Sequence, residues 1–247
     1  MEQLSDTYSA VITANQQSII SGPASIDYVL NHNKKRLSST EHAMNKLGEC
    51  DSLGDVFNGL VGQNLLLASF ADVSQSTLTT NYLRIRNIVA QIHEPSGGIA
   101  HGDLGLIWAL LRVSKRLNDQ LGQNIALEAL SRIDLSSLNM HKGYCNGGAG
   151  LLLVKSEATQ FSDCVSREEL RSIASQITDL SSGEPIDLSV CHGASGVTQS
   201  LLQSYFYTGD SYFKDLATNY WAKALGHAYD FGYYTGEINR DYLLGYF

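Results

Sequence analysis

Four short stretches of the chain place a side chain able to bind a metal or move a proton just ahead of a glycine pair. They are Asp55 in Asp-Val-Phe-Asn-Gly59, His101 in Ala-His-Gly102, Cys145 in Tyr-Cys-Asn-Gly147, and Cys191 with His192 in Val-Cys-His-Gly193. Thiolate and imidazole are good zinc ligands, and a carboxylate can bind metal or carry a proton. Cys145, Cys191 and His192 together make a Cys₂His set, which leaves the fourth position of a tetrahedral zinc open to water or substrate, as catalytic rather than structural zinc requires. Neighbouring residues such as Cys191 and His192 would point about 100° apart on a regular helix, so they share a metal only on an irregular segment or at a helix start. Gly193 supplies that freedom. A blander account fits the same residues: small buried cysteines, a hydrogen-bonded core His192, a structural His101, and Asp55 as a helix cap. No Cys-x-x-Cys pair is present to decide between the two.

The elements that must position these residues follow from an internal repeat. Gly-x-x-Gly recurs at Gly59–Gly62, Gly102–Gly105, Gly147–Gly150 and Gly193–Gly196, with first glycines 43, 45 and 46 residues apart. Each pair leads into an apolar stretch: Leu65–Phe70, Leu106–Leu111, Leu151–Val154 and Val197–Leu202. Small residues at the start of a buried helix mark a place where backbones approach closely. Amphipathic stretches at Tyr82–Ile92, Glu168–Leu180 and Ser211–Leu225 lie between them and predict a second, outer helix per repeat. A period near 45 with two helices suits an α-solenoid or a ring of helical hairpins. In a ring the starts of the inner helices converge at one end, and the residues beside the glycines meet there.

The bulk composition narrows the partners. A formal net charge of −8 without clustered Lys or Arg disfavours nucleic acid. No apolar run approaches the roughly 18 residues of a membrane span, and Met1-Glu-Gln-Leu-Ser-Asp lacks a signal-peptide pattern, so the expected location is the cytoplasm. Four cysteines are too few for a disulfide framework at this length, and a reducing compartment favours thiol or metal chemistry. Cys145 and Cys191 each open a Gly-rich segment, whereas Cys50 and Cys164 do not. The aromatic cluster from Tyr205 to Tyr234 reads chiefly as helix packing.

Ala-His-Gly-x-x-Gly, Tyr-Cys-Asn-Gly-x-x-Gly and Cys-His-Gly-x-x-Gly, in this order and spacing, resemble the LanC-like lanthipeptide cyclases. The likeness is to the cyclase domain that ends class II lanthipeptide synthetases. Asp-Val-x-x-Gly-x-x-Gly at Asp55 and Tyr-Thr-Gly-Glu near Tyr234 extend it over residues 50–247, with residues 1–49 left as an N-terminal helical segment with a polar loop. The resemblance implies an all-α fold, an α,α-toroid or barrel of helical hairpins, here incomplete with its final repeat missing after Phe247. It also implies Zn2+ held by Cys145, Cys191 and His192, with His101 and Asp55 in the active site. The implied reaction adds a cysteine thiol to dehydroalanine or dehydrobutyrine in the same peptide, forming lanthionine or methyllanthionine.

His101 is then the candidate acid for the enolate, and Asp55 its orienting partner or a substrate contact. The family often carries a basic residue four positions before the first zinc cysteine. His141 stands there in this chain, followed by Lys142, and is a candidate for charge stabilisation. The implied partners are a dehydrated precursor peptide and a dehydratase or synthetase chain, since nothing in the sequence resembles a dehydratase. Two rival readings remain: a LanC-like protein that binds zinc and thiol without closing rings, and a degenerate docking domain. A terpene-type toroid enzyme is disfavoured because no Asp-rich run is present.

Overall fold

The computed structural model describes residue 56 and residues 60–69, 75–133, 142–180 and 188–230. Asp55, His141 and the segment 1–49 lie outside the described residues. Eight helices occur among them: α1 Leu60–Ser69, α2 Gln75–Ala90, α3 Asp103–Leu117, α4 Gln120–Ser131, α5 Gly148–Ala158, α6 Arg167–Ile177, α7 Ala194–Thr208 and α8 Ser211–Asp230. No strand occurs among the described residues.

The odd-numbered helices are the inner ones of the repeat. Each begins immediately after the first glycine of a pair, so the second glycine is always the third residue of the helix: Gly62, Gly105, Gly150 and Gly196. In α5 all eleven residues are buried, Lys155 and Glu157 included. This helix has no solvent face, which is why its sequence is apolar with small residues rather than amphipathic, whereas α7 exposes Leu202, Tyr205 and Phe206.

The even-numbered helices bury one stripe each. On α2 it is Leu78, Tyr82, Ile85 and Val89; on α6 Leu170, Ile173, Ala174 and Ile177; on α8 Phe213, Ala217, Tyr220 and Ala224. These i, i+3/i+4 spacings are the amphipathic pattern expected from the sequence. Helix α4, which that pattern had not singled out, buries Ala126, Ala129 and Leu130.

The chain divides into two compact units. The first takes residues up to Ile92 and Gly105–Ala126, and in it α1 packs on α2. Its polar centre is Asp119, whose Oδ2 accepts from the Tyr82 hydroxyl at 2.6 Å and from Arg86 Nη1 at 2.8 Å. Asp119 Oδ1 accepts from the backbone N–H of Gly122 at 3.2 Å, capping α4. A side chain at position 122 would run into the Tyr82 hydroxyl, so glycine is required for this knot to close.

The second unit takes His93–Leu104 and residues from Leu127 onward. Here α7 packs on both α5 and α8, and α5 packs on α6. The Ser156 hydroxyl donates to Ser204 Oγ at 2.8 Å across α5 and α7, and Gln160 Nε2 donates to the Tyr207 carbonyl at 2.7 Å. Ser166 caps α6 by accepting from the Glu169 N–H at 3.0 Å. Glu169 also receives the buried Lys155 ammonium, giving that charge the partner its burial demands.

Asp210 precedes α8 as Asp119 precedes α4. It accepts from Tyr212 N–H at 3.1 Å and takes both arms of Arg171, at 2.9 and 3.0 Å. Helix α7 ends on Gly209 at φ 68°, and α3 on Asn118 at φ 54°, both in the left-handed region that closes a helix.

Candidate metal and thiol centre

Within the second unit, three of the loops that enter inner helices are tied to one another by backbone alone. Ala100 N–H donates to the Cys145 carbonyl at 2.9 Å, and Cys145 N–H donates to the Cys191 carbonyl at 3.0 Å. Ala100, Cys145 and Cys191 hold the same register in the repeat, each two residues before the first glycine of its pair. The hydrogen bonds therefore make a ladder that stacks equivalent positions of successive repeats. Expected convergence of the inner-helix starts is found for these three loops.

Two sets of glycines permit the stacking. The first set lies four residues before the glycine pairs that begin at Gly102 and Gly147. A Cβ on Gly98 would penetrate Cys145 and Asn146, and one on Gly143 would come within 2.9 Å of the Cys191 carbonyl and His192 Cα. The second set is the third residue of each inner helix. A Cβ on Gly150 would collide with the Tyr144 carbonyl, and one on Gly196 with the Val190 carbonyl, in both cases the residue just before the cysteine. Glycine there lets the cysteine loop fold flat over the first helical turn.

The ladder sets Cys145 and Cys191 with their Cα atoms 5.1 Å apart, and the structure joins the two sulfurs as a disulfide. The sequence had pointed to thiol or metal chemistry for this pair. The reason for the difference is geometric: a Cα separation of roughly 4.4 to 6.8 Å suits a disulfide, and in-register stacking produces it. Cys145 is buried and Cys191 half-buried.

His192 is exposed, and its Nε2 lies 3.9 Å from Cys191 Sγ. Residues 190–193 form bends rather than helix, so the two adjacent side chains can reach the same place. Ser189, buried and at the register of Gly98 and Gly143, accepts from His192 N–H at 3.3 Å and holds this turn. Among the described residues no group of three or more His, Cys, Asp or Glu is arranged to hold a metal ion, the two sulfurs being bonded to each other.

The donor set still suits zinc once the sulfurs are free. Zinc–sulfur and zinc–nitrogen bonds in a tetrahedron put S and N about 3.6 Å apart, close to the Cys191–His192 separation. The fit rests on two cysteine sulfurs brought together with an imidazole beside one of them, the donors of a Cys₂His site.

His101 is exposed, next to Ala100 on the ladder and just ahead of α3. Its loop is closed by Asp103, whose N–H donates to the Ser96 carbonyl at 2.9 Å while its carboxylate accepts from Ser96 N–H at 2.8 Å. Of the six residues singled out from sequence, Cys145, Cys191 and His192 come together and His101 stands on the adjoining loop. Asp55 and His141 lie outside the described residues. The residues that sequence reading missed are Gly98, Gly143 and Ser189. Aligning the repeats would have exposed them, since all three fall at one register.

A sequence profile of the family described as lanthionine synthetase C-like protein matches residues 2–247. No curated protein matches the chain.

Proposed function

Because the chain belongs to the lanthionine synthetase C-like family, we propose that it closes thioether rings in a dehydrated precursor peptide, using a zinc held by Cys145, Cys191 and His192. The family is built as an α,α-toroid, and the helical hairpin, its unit, is what this chain repeats. The observation that carries the proposal is the ladder from Ala100 to Cys145 to Cys191. It brings two cysteine sulfurs and two histidine-bearing loops from three repeats to one place. No helix among the described residues is long and apolar enough to cross a membrane. We place the protein in the cytoplasm, whose reducing poise keeps the two cysteines as thiols.

A substrate cysteine thiol, of pKa about 8.5 when free, is mostly protonated at neutral pH, and zinc would supply the positive charge that favours the thiolate. Cys145 and Cys191 contribute negative charge that keeps such a thiolate nucleophilic. Its sulfur adds to Cβ of dehydroalanine or dehydrobutyrine, and the alkene electron pair moves through Cα to the carbonyl oxygen as an enolate. His101 then delivers a proton to Cα, and Asp55 orients His101 or holds the peptide. His141 would stabilise the developing charge. The substrate arrives already dehydrated, so a dehydratase or a synthetase partner chain acts first.

The test begins with protein treated with a dithiol, which gives two electrons to the Cys145–Cys191 disulfide, is itself oxidised to a disulfide, and leaves Cys145 and Cys191 as thiols. About one zinc per chain is expected, and none in Cys191→Ala. His101→Ala keeps its zinc and loses ring closure. A folded, reduced wild type without zinc, or normal turnover in either variant, would overturn the assignment and bring the docking-domain reading forward.

A further inference from the structure

The two sulfurs proposed to hold zinc also lie within bonding reach of each other. We propose that Cys145 and Cys191 form a redox switch: a peroxide oxidises the pair to a disulfide that no longer holds the metal, and a dithiol restores the site. The inference rests on the cyclase reading and adds a means of regulation to it.

Three observations carry it. The structure joins Cys145 and Cys191 as a disulfide at a Cα separation of 5.1 Å, inside the roughly 4.4 to 6.8 Å that the bond requires. That separation is set by backbone and not by the sulfurs. Cys145 N–H donates to the Cys191 carbonyl at 3.0 Å, Ala100 N–H donates to the Cys145 carbonyl at 2.9 Å, and Gly143 packs against the Cys191 carbonyl. These ties use no side chain, so the same frame serves both states. Two sulfurs in a zinc tetrahedron stand about 3.8 Å apart, against about 2.05 Å in a disulfide, a difference that rotation about the Cα–Cβ bonds covers.

The third observation is unequal access. Cys191 is half-buried on an irregular bend, whereas Cys145 is 1% exposed. An oxidant in solution therefore meets Cys191 first, and Cys145 is the resolving partner.

The chemistry balances in two steps. The Cys191 thiolate attacks one oxygen of hydrogen peroxide, the O–O bond breaks, and the departing hydroxide takes a proton to become water, leaving a sulfenic acid on Cys191. The Cys145 thiolate then attacks Cys191 Sγ, the S–O bond breaks, and a second hydroxide takes a second proton. Two thiolates give up two electrons, one peroxide accepts them, and two waters form. The backbone ties present Cys145 to Cys191, so the second step is intramolecular and outruns further oxidation of the sulfenic acid. Bonded sulfurs carry no thiolate charge, which leaves His192 as the one donor of the three still able to ligate.

Cys164 is an internal reference, being exposed and in no disulfide. The test takes the full chain, reduced, loaded with zinc and freed of dithiol, and adds one equivalent of hydrogen peroxide beside a zinc indicator dye. Zinc should be released in step with loss of the Cys145 and Cys191 thiols, read by alkylation and peptide mapping, and about tenfold faster than thiol loss at Cys164. A dithiol with zinc present should restore both thiols and metal. Cys145→Ser should stop at a Cys191 sulfenic acid that dimedone captures, and Cys191→Ser should give about tenfold less adduct at Cys145. Mapping of the wild type decides the matter alone if either variant unfolds. Zinc kept after peroxide, thiol loss first at Cys164, or equal labelling of the two variants would overturn the switch and leave the cyclase reading standing. A chain that switches as described yet closes no ring would bring down the cyclase reading alone, and a reduced wild type without zinc would bring down both.

Discussion

Two kinds of turn join the helices of this chain, and they are held by opposite means. The turns that enter inner helices are fastened backbone to backbone, through Ala100, Cys145 and Cys191, with glycines clearing the way. The turns that lead into outer helices are fastened by side chains: Asp119 before α4, Ser166 before α6 and Asp210 before α8. Between the inner-helix loops the ties are backbone, while Asp103 and Ser189 add side-chain bonds within their own turns. Fastening by side chain uses that group up, as Asp119 does in serving Tyr82, Arg86 and Gly122 together.

Electrostatics sharpens the contrast. The Tyr82 hydroxyl bond, aided by Gly122 N–H and Arg86, holds the Asp119 carboxyl below the usual range against the opposing effect of burial. The Arg171 guanidinium does the same for Asp210, with help from Tyr212 N–H and Arg167. Burial and the Asp119 carboxylate together push the Tyr82 phenol up, beyond any working pH. These groups are pinned in one protonation state, which suits fasteners and would disable catalysts.

The largest effect should come from breaking the ladder. Gly98→Ala forces a methyl into Cys145 and Asn146, both backbone contacts that have nowhere to yield. Zinc stoichiometry and ring closure should both collapse, while far-ultraviolet circular dichroism keeps its helical signal; retained zinc would show that the ladder does not organise the centre. Next in size is Asp210→Ala, which removes the cap of α8 and should cost about 1 to 2 kcal/mol in urea unfolding with ring closure intact once folded. A matching loss of zinc would erase the distinction between the two kinds of turn.

The pH dependence follows from the depressed carboxyls. Because the folded pKa of Asp210 lies below its unfolded value, its stabilisation is complete above about pH 4 and fades as pH falls through the folded pKa. The Tm gap between wild type and Asp210→Asn should hold steady near neutrality and close on acidification; a gap that widens in acid would contradict the assignment. Smallest is Gly226→Ala, on α8 with open space around its Cα. It should stabilise by up to about 1 kcal/mol, in contrast to Gly98→Ala. The sign reversal between two identical substitutions would measure how far glycine in the ladder is a steric demand.

Much of this was legible in the residues. The glycine pairs located all four inner helix starts, and the stripes on α2, α6 and α8 followed from periodicity. Cys145, Cys191 and His192 were singled out because thiol and imidazole recur beside the glycine pairs, and the structure brings the three close together. The ladder was not legible, since carbonyls and amides leave no mark on a sequence beyond the glycines that accommodate them. The roles of Asp119 and Asp210 were hidden for another reason: their partners Arg86 and Arg171 stand 33 and 39 residues away, on different helices. Pairing of the two cysteines as a disulfide also depends on a Cα distance that spacing does not give.

The register row that holds Cys145 and Cys191 begins with Ala100, whose N–H is bonded to Cys145. Its side chain is as small as a position in that row allows, and buried like that of Cys145. Ala100→Cys would place a third cysteine in the row of the other two, changing the proposed ligand set by one letter while the backbone ties of the loop stay the same. A scaffold of this kind stores its chemistry as interchangeable type set in a fixed frame, and one frame can print more than one set of donor groups.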